Sequence, residues 1–309
     1  MTRKMSISSL TMIIILSMVL SACGSNGSSA SNGNDSGKSD VNLGQKEVTL
    51  AYVSWESAVA SNNVMKQVLE NVGYNVTIKQ VSTGTMYAGV ADGSVDATIS
   101  SWLPTTDKSY WNRYKDQLND IGTSLKKAPQ GLYVPDYMDI DSVKDLANNK
   151  NNVGQKTGWT VTGIDAGAGE MQIIKDKMFP AYGLNDKWDL KASSSPAMLA
   201  TVKKAIDDHK PIVAVLWQPH WAVSQWDMKL LKDSKDVFKK PDDIHTLARK
   251  GFKADAPAAY QILNQFHWEK KDMEKVMTMI HNDMEPKAAA KKWIKNNQDL
   301  VSEWTKDLK

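Results

Sequence analysis

Strand patterns and helix patterns alternate along this chain from about residue 47. β-Branched and aromatic residues predict strands over 47–54, 74–81 and 96–102. Between them, apolar residues at helical spacing predict helices over 61–72 and 85–91. Strands that alternate with helices pair in parallel through crossover helices. The pattern therefore predicts an α/β fold whose ligands bind beyond the carboxyl ends of the strands.

A second unit of the same style follows. Strand patterns occur at 130–137, near Val153 and at 211–216, and helical patterns occur at 170–177 and 196–207. The strand pattern returns from Ile244, and the remainder of the chain is mostly helical, with a periodic apolar pattern that we expect to face the core at Met273, Val276, Met277 and Ile280. We therefore predict two α/β lobes with a ligand cleft between them. The first lobe is formed by 47–130 and 245–309, and the second, inserted into it, by 131–244.

The N-terminal sequence predicts export. Arg3 and Lys4 precede an apolar run that is too short for a membrane-spanning helix, which is typical of a secretory signal peptide, here over 1–22. Leu-Ser-Ala-Cys resembles the bacterial lipobox, which implies that Cys23, the single cysteine, becomes the lipid-modified first residue. The alternative is a cysteine that lies near a cleavage site by chance. With the Ser/Gly/Asn-rich stretch that follows, residues 23–46 are interpreted as a lipid anchor and flexible tether at the outer face of the cell membrane.

Charge and motif content exclude several classes of function. Two of the 38 basic residues and none of the 35 acidic ones lie in the signal, which leaves 36 against 35, a formal net charge of +1, in the mature chain. There is no basic stripe for nucleic acid, and no later apolar run reaches the length of about 18 residues that spans a membrane. The five histidines lack metal-ligand spacing, and no nucleophile elbow or phosphate-binding loop is present. We expect no metal, no cofactor and no catalysis.

The eleven tryptophans are unevenly placed. Trp55, Trp102 and Trp217 each end an apolar strand, at the sheet edge where ligands bind. The last two stand in Trp-x-Pro turns, which would hold an indole in place, so we predict that these three tryptophans bind a ligand. The role of Trp159 is left open. The others are interpreted as structural: Trp188, Trp268, Trp293 and Trp304 in amphipathic helical contexts, and Trp111, Trp221 and Trp226 at helix starts.

Three converging indoles predict an aromatic cage for a quaternary ammonium group. Such a group has no N–H to donate, so ring quadrupoles hold it better than hydrogen-bonding side chains do. Three contacts of roughly 0.5–2 kcal/mol each fall short of the roughly 8 kcal/mol that micromolar binding requires. A ligand carboxylate would supply the difference if backbone amides in the Gly-rich segment 162–171 held it, and we predict the amides of Gly163 and Ile164. The alternative is that this segment is only a tight loop entering a helix.

Five stretches of the sequence resemble the substrate-binding proteins of ABC transporters for glycine betaine and related osmoprotectants. They are AYVSWESAVASN, SSWLPTTD, TGIDAGAGEM, LWQPHW and IHTLARKGF, in this order. The resemblance implies a periplasmic-binding-protein fold of the second type, which closes on its ligand like a hinge. It also implies that Trp55, Trp102 and Trp217 form the cage and that the Gly163 and Ile164 amides take the carboxylate.

Two positions depart from the pattern of that family. Some of its glycine betaine binders carry a histidine five residues after the tryptophan of Trp-Leu-Pro, and this chain has Asp107 there. Asp107 would repel a ligand carboxylate if it faced inward; His220, three residues after Trp217, is the candidate to compensate, or it supports the site from behind. Choline binders of the superfamily place an aspartate two residues after their first tryptophan, where this chain has Ser57. The choline signature is therefore missing, although Asp107 leaves room for a ligand without a carboxylate.

These inferences predict a lipid-anchored, extracytoplasmic receptor that captures glycine betaine, or a related quaternary ammonium zwitterion, and delivers it to a membrane permease. Choline or carnitine is the alternative ligand within the same class of transporter. A lipoprotein sensor that binds without transport is a second alternative, and a secreted enzyme on the same scaffold is a third. A sensor would bind its ligand equally well, so only the loss of uptake on gene deletion separates the sensor from the transport protein.

Overall fold

The computed structural model describes residues 41–308, so the predicted signal peptide, Cys23 and most of the tether lie outside the described residues. The strands are β1 (Glu47–Tyr52), β2 (Asn75–Gln80), β3 (Ala97–Leu103), β4 (Leu118–Ala128), β5 (Gln130–Pro135), β6 (Thr160–Thr162), β7 (Asp189–Lys191), β8 (Val213–Trp217), β9 (Met228–Leu230) and β10 (Asp242–Arg249). The helices are α1 (Glu56–Val72), α2 (Thr83–Asp92), α3 (Lys108–Tyr114), α4 (Val143–Ala147), α5 (Val153–Thr157), α6 (Gly169–Ile173), α7 (Phe179–Tyr182), α8 (Ser195–Asp207), α9 (Trp221–Gln225), α10 (Phe252–Asp255), α11 (Pro257–Gln265), α12 (Lys270–His281), α13 (Pro286–Asn296) and α14 (Gln298–Trp304).

Five strands form a first sheet in the order β2-β1-β3-β10-β4. β1 pairs in parallel with β2 and with β3, as the alternation of strands and helices predicts. β10 returns antiparallel to β3 and β4, with register shifts along both pairings. β4 is not predicted from the sequence, because an edge strand with polar residues at most positions carries only a weak periodic signal.

A second sheet has the order β7-β6-β8-β5-β9. β6 pairs in parallel with β7 and β8, and β5 pairs antiparallel with β8 and β9. The strand predicted near Val153 is wrong, since Val153 begins α5 and the strand of this region is β6, seven residues later. Asn149, Asn151 and Asn152 precede α5 with positive φ, a conformation that asparagine tolerates and that a strand does not contain.

The helix predicted over 170–177 is one part of a longer helical segment. α6 continues through a π-helical turn at Ile174–Met178 directly into α7. Pro180, which has no backbone N–H to donate, stands in the first turn of α7 after this wider turn. The Gly-rich loop that precedes α6 is thereby joined to a helix of the second lobe.

The tryptophans interpreted as core residues are buried. Trp293 and Trp304 stack with their ring centroids 5.8 Å apart, and Trp268 meets Trp293 edge-on at 5.6 Å. Trp188 is also buried. Trp159, to which the sequence assigns no role, packs edge-on against Trp188 at 5.6 Å and therefore has a packing role. Of the four residues predicted to form the core-facing side of α12, Met273, Val276 and Met277 are buried, and Ile280 is partly buried against the core.

Each sheet is the centre of one lobe, and the prediction of a two-lobed α/β fold is confirmed. The first sheet takes strands from 47–128 and 242–249, and the second from 130–230. The chain therefore crosses between the sheets after β4 and again before β10. The lobe boundaries at 130/131 and 244/245 stay a prediction; the strands place Gln130 in the second sheet and residues 242–244 in the first. Within residues 41–308, no helix has both the length and the apolar character that crossing a membrane requires.

Candidate ligand-binding site

Three tryptophans line one cavity between the two lobes. Trp55 directly precedes α1, Trp102 lies in β3, and Trp217 ends β8. All three are buried, and the ring centroids of Trp55 and Trp217 are 6.5 Å apart with their planes at 59°. The lobes leave about 10 Å³ of free volume in this cavity, roughly the space of one water molecule. Its other lining residues are Thr106, Gln130, Ile164, Ala168, Gly169 and Glu170. The structure thus brings the three predicted tryptophans together with Ile164.

Long-range hydrogen bonds hold the turns that carry two of these indoles. Both Trp-x-Pro turns contain a cis X-Pro peptide bond. After β3, the carboxylate of Asp242 accepts hydrogen bonds from the amides of Thr105 and Thr106, at 2.9 and 2.7 Å. After β8, the amide of Gln218 donates to the carbonyl of Pro129 at 2.8 Å. The turns are therefore tied to β10 and to the residue before β5, which sets the direction of the indoles.

The two predicted carboxylate-binding amides differ in the structure. The amide of Gly163 donates to the carbonyl of Lys191 at 2.8 Å, extending the pairing of β6 with β7, so it is not free for a ligand and this part of the prediction is corrected. A Cβ on Gly163 would lie 2.5 Å from the sulfur of Met171, so a larger residue there would displace the end of that side chain. The amide of Ile164 carries no hydrogen bond within residues 41–308, and Ile164 lines the cavity.

Asp107 lies behind Trp102 and does not line the cavity. It is fully buried, and its Oδ2 accepts hydrogen bonds from the amide of Trp102 at 2.9 Å and the hydroxyl of Tyr87 at 3.2 Å. Burial raises the pKa of this carboxyl to about 7, although the two hydrogen bonds lower it. The predicted contact of Asp107 with the ligand is therefore corrected: the carboxyl fixes the backbone that carries the indole.

His220 also lies behind the cavity, where it packs against Trp217 with ring centroids 5.0 Å apart. Its Nδ1 accepts a hydrogen bond from the amide of Ala222 at 3.0 Å. Its Nε2 lies 3.3 Å from Oε2 of Glu56, which also accepts a hydrogen bond from the hydroxyl of Ser195 at 2.6 Å. Direct contact with the ligand is not supported, and the alternative role, support from behind, fits these contacts.

Sequence reasoning missed the acid that lines the cavity. Glu170, at the start of α6, is buried, and its Oε1 accepts a hydrogen bond from the amide of Gly131 at 2.9 Å. Burial raises the pKa of this carboxyl well above its usual value. The sequence signal that could have identified Glu170 is an acidic residue between Gly169 and Met171, at a helix start that otherwise lacks charge. Across residues 41–308, no cluster of three or more His, Cys, Asp or Glu side chains is arranged to hold a metal ion.

Direct contacts join the two lobes around the cavity. The hydroxyl of Tyr110 donates to the carbonyl of Gly167 at 2.7 Å, and Nε2 of Gln130 donates to Oγ1 of Thr106 at 2.7 Å. A Cβ on Gly169 would lie 2.2 Å from the carbonyl oxygen of Thr106, so the two backbones touch there and only glycine fits. The Gly-rich loop of the second lobe is thus closed against the Trp-x-Pro turn of the first.

An aromatic contact closes the outer end of the same interface. The ring of Trp221 on α9 stacks on that of His281 on α12, with centroids 3.3 Å apart and planes at 12°. Trp226 meets Trp221 edge-on at 4.7 Å. The structural roles predicted for these two tryptophans are confirmed by this packing, while Trp111 on α3 is only partly buried against the core.

Two α/β lobes that meet around an aromatic cavity are the architecture of a solute-binding protein. The family described as the substrate binding domain of the ABC-type glycine betaine transport system matches residues 46–296, and the chain belongs to this family. Its members are binding proteins rather than enzymes. The family suggested by the five sequence stretches is therefore confirmed.

Known relatives agree with this membership. A stretch of 156 residues is 44% identical to the glycine betaine/carnitine transport binding protein GbuC of Listeria monocytogenes, and this alignment covers 50% of this chain and 52% of that protein. The chain thus matches about half the length of this curated relative. Lactococcal OpuAC, in its closed-liganded conformation complexed with glycine betaine, is 39% identical with a TM-score of 0.79, over 85% of this chain and all of the lactococcal one. The glycine betaine/L-proline-binding protein ProX from Borrelia burgdorferi is 34% identical with a TM-score of 0.79, over 85% and 97% of the two chains. These structures confirm the fold of the second periplasmic-binding-protein type.

Proposed function

We propose that this protein captures glycine betaine, or a closely related quaternary ammonium zwitterion, and delivers it to the permease of an ABC transporter. The observation that carries the proposal is that Trp55, Trp102 and Trp217 line one enclosed cavity between the lobes. The lactococcal relative binds glycine betaine in its crystal structure, and the Listeria relative is a binding protein for glycine betaine and carnitine, which supports the same ligand class here.

The cavity offers a distinct partner to each end of a zwitterion. Indole faces attract a trimethylammonium group through their quadrupoles, at roughly 0.5–2 kcal/mol for each contact. Three such contacts supply about 2–6 kcal/mol of the roughly 8 kcal/mol that micromolar affinity requires. The unpartnered amide of Ile164 can donate to the ligand carboxylate and supply part of the remainder. The Gly163 amide, which is used in the sheet, has no part in this proposal.

The proposed place of action is the outer face of the cell membrane. A lipid on Cys23 would anchor the chain there, and the tether would let the domain reach the permease. Closure of the lobes on the ligand would present a surface that exists only in the loaded protein, so the permease can distinguish loaded from empty protein. The partners proposed are therefore the ligand, the permease and the membrane reached through the lipid anchor.

One observation favours choline as a second candidate. The buried carboxyl of Glu170 lines the cavity, and an acid can balance a quaternary ammonium cation that brings no carboxylate of its own. Carnitine carries both a quaternary ammonium group and a carboxylate, so, like glycine betaine, it needs no negative charge from Glu170.

Calorimetric titration of the purified protein with glycine betaine and, separately, with choline tests the proposal. Saturable heat with glycine betaine is the expected result. Heat with choline alone would remove the carboxylate contact at Ile164 from the mechanism, and no heat with either ligand would refute the proposed function. Deletion of the gene should abolish glycine betaine uptake by the cell; unchanged uptake would instead indicate a sensor.

A further inference from the structure

Glu170 is a buried acid without a cationic partner inside the ligand cavity. The residue is only 3% exposed, and it lines the same cavity as the three indoles. Its one hydrogen bond within residues 41–308 comes from the amide of Gly131. No lysine, arginine or histidine of the described chain forms an ion pair with it. A carboxylate in such a place is strongly disfavoured unless a cation reaches it.

The titratable groups that surround Glu170 offer it no positive charge. Tyr133 on β5 is close enough that the carboxyl adds to the rise in the tyrosine's pKa, which burial mainly causes. Asp107 of the first lobe comes close to Gly169, the residue before Glu170. A Cβ added to Gly169 would lie 2.8 Å from Oδ1 of Asp107. Asp242 lies beyond Asp107 and contributes to the raised pKa of that carboxyl. The Glu170 carboxyl therefore keeps its proton until a cation enters the cavity.

The charge of the ligand decides whether that proton is retained. A zwitterion brings its own carboxylate, so an ionised Glu170 would add a second negative charge to an enclosed space. A quaternary ammonium cation such as choline brings a positive charge alone, and the nearest group that can balance it from the cavity wall is Glu170. An opposite charge within a few ångströms favours the ionised form of a carboxyl group.

We propose that Glu170 determines the ligand class through its protonation state: it keeps its proton when a zwitterion occupies the cavity and releases it when a cation without a carboxylate binds. This inference rests on the proposed function of the same cavity. In the second case the O–H bond of the carboxyl group breaks, the electron pair stays on the oxygen, and one proton leaves to solvent for each cation bound. Below the pH at which Glu170 ionises in the free protein, the affinity for choline should rise about tenfold per pH unit, while that for glycine betaine stays level.

Proton counting tests this without altering the protein. Titrations with choline chloride and with glycine betaine are run in phosphate and in Tris at the same pH, because the two buffers differ in ionisation enthalpy. We expect close to one proton released per choline bound and none per glycine betaine. Heat with glycine betaine but none with choline, at any pH from about 6 to 9, would overturn the role of Glu170 and leave the proposed function standing. No heat with either ligand would refute the proposed function, and this inference with it.

Two variants assign the proton to its residue. Glu170→Gln keeps an oxygen that can accept the Gly131 hydrogen bond and removes the titratable group. We expect it to abolish proton release on choline binding and to lower the affinity for choline about tenfold or more relative to that for glycine betaine. Asp107→Asn is the matched control, since it removes a buried acid that does not line the cavity, and proton release should persist in it.

Other outcomes would overturn the assignment. Proton release that persists in Glu170→Gln, or that disappears in Asp107→Asn, would place the proton elsewhere. An equal loss of affinity for both ligands in Glu170→Gln would show that the residue only ties α6 to β5 through Gly131. If that variant does not fold, the proton count of the unaltered protein still decides between retention and release.

Discussion

Ser195→Ala should weaken ligand binding by removing a hydrogen bond that joins the two lobes. Ser195 begins α8 in the second lobe, and its hydroxyl donates at 2.6 Å to the carboxylate of Glu56 at the start of α1 in the first lobe. The side chain of Glu56 is 17% exposed, so the bond is largely shielded from water. Hydrogen bonds to charged groups contribute about 1.5–3 kcal/mol. If closure and binding are coupled, the dissociation constant should rise roughly 10- to 150-fold.

Calorimetry gives the dissociation constant for this variant, and stopped-flow tryptophan fluorescence gives the two rate constants. We expect most of the change in the dissociation rate, because the contact forms after the ligand has entered. Ser142→Ala is the matched control, since Ser142 Oγ makes a hydrogen bond to Asp145 at 2.9 Å entirely within the second lobe. The control should lose about 1 kcal/mol of stability and keep its affinity. An unchanged constant in Ser195→Ala, or an equal loss in Ser142→Ala, would refute the coupling of this contact to binding.

Three further predictions follow from the same geometry. Trp217→Ala should weaken binding about tenfold, the loss of one cation–π contact, while Trp217→Phe should retain part of it; equal constants in calorimetry would remove Trp217 from the cage. Gly169→Ala should impair closure and lower the affinity for ligand, because its Cβ would lie 2.2 Å from the carbonyl oxygen of Thr106 in the first lobe. Gly167→Ala is the control: its Cβ would lie 3.6 Å from the hydroxyl of Tyr110, an ordinary contact distance, so this variant should bind normally. Burial raises the pKa of Asp107 from its ordinary 3.8 to about 7, so the unfolded chain gives up this proton first as pH rises. The free energy of unfolding should therefore fall by roughly 4 kcal/mol at most between about pH 4 and 7. Urea titrations at several pH values should show a weaker pH dependence of this free energy in Asp107→Asn. A pH dependence unchanged by that substitution would contradict the effect of burial.

The placement of the three indoles could be predicted from the sequence. Trp55 and Trp102 follow apolar strand patterns whose parallel strands, β1 and β3, end at one edge of the first sheet, and Trp217 ends an apolar strand, β8, of the second sheet. The apolar runs and helical spacings that define the alternation of strands and helices depend only on neighbouring residues, so they can be recognised in the sequence alone. The same holds for the apolar face of α12. β4 and β6 were missed or misplaced because an edge strand rich in polar residues and a strand of three residues carry little local signal.

Which polar groups face the ligand cavity depends on contacts between segments that are distant in the chain. The α/β alternation and the aromatic ends of the strands follow from local sequence, since both depend on residues close together in the chain. The amide of Gly163 is used by Lys191, and the carboxyl of Asp107 turns inward to the amide of Trp102. Glu170 instead enters the cavity wall, held by the amide of Gly131, 39 positions away in the chain. Hydrogen bonds and burial between distant segments set these orientations, and no pattern of neighbouring residues encodes them.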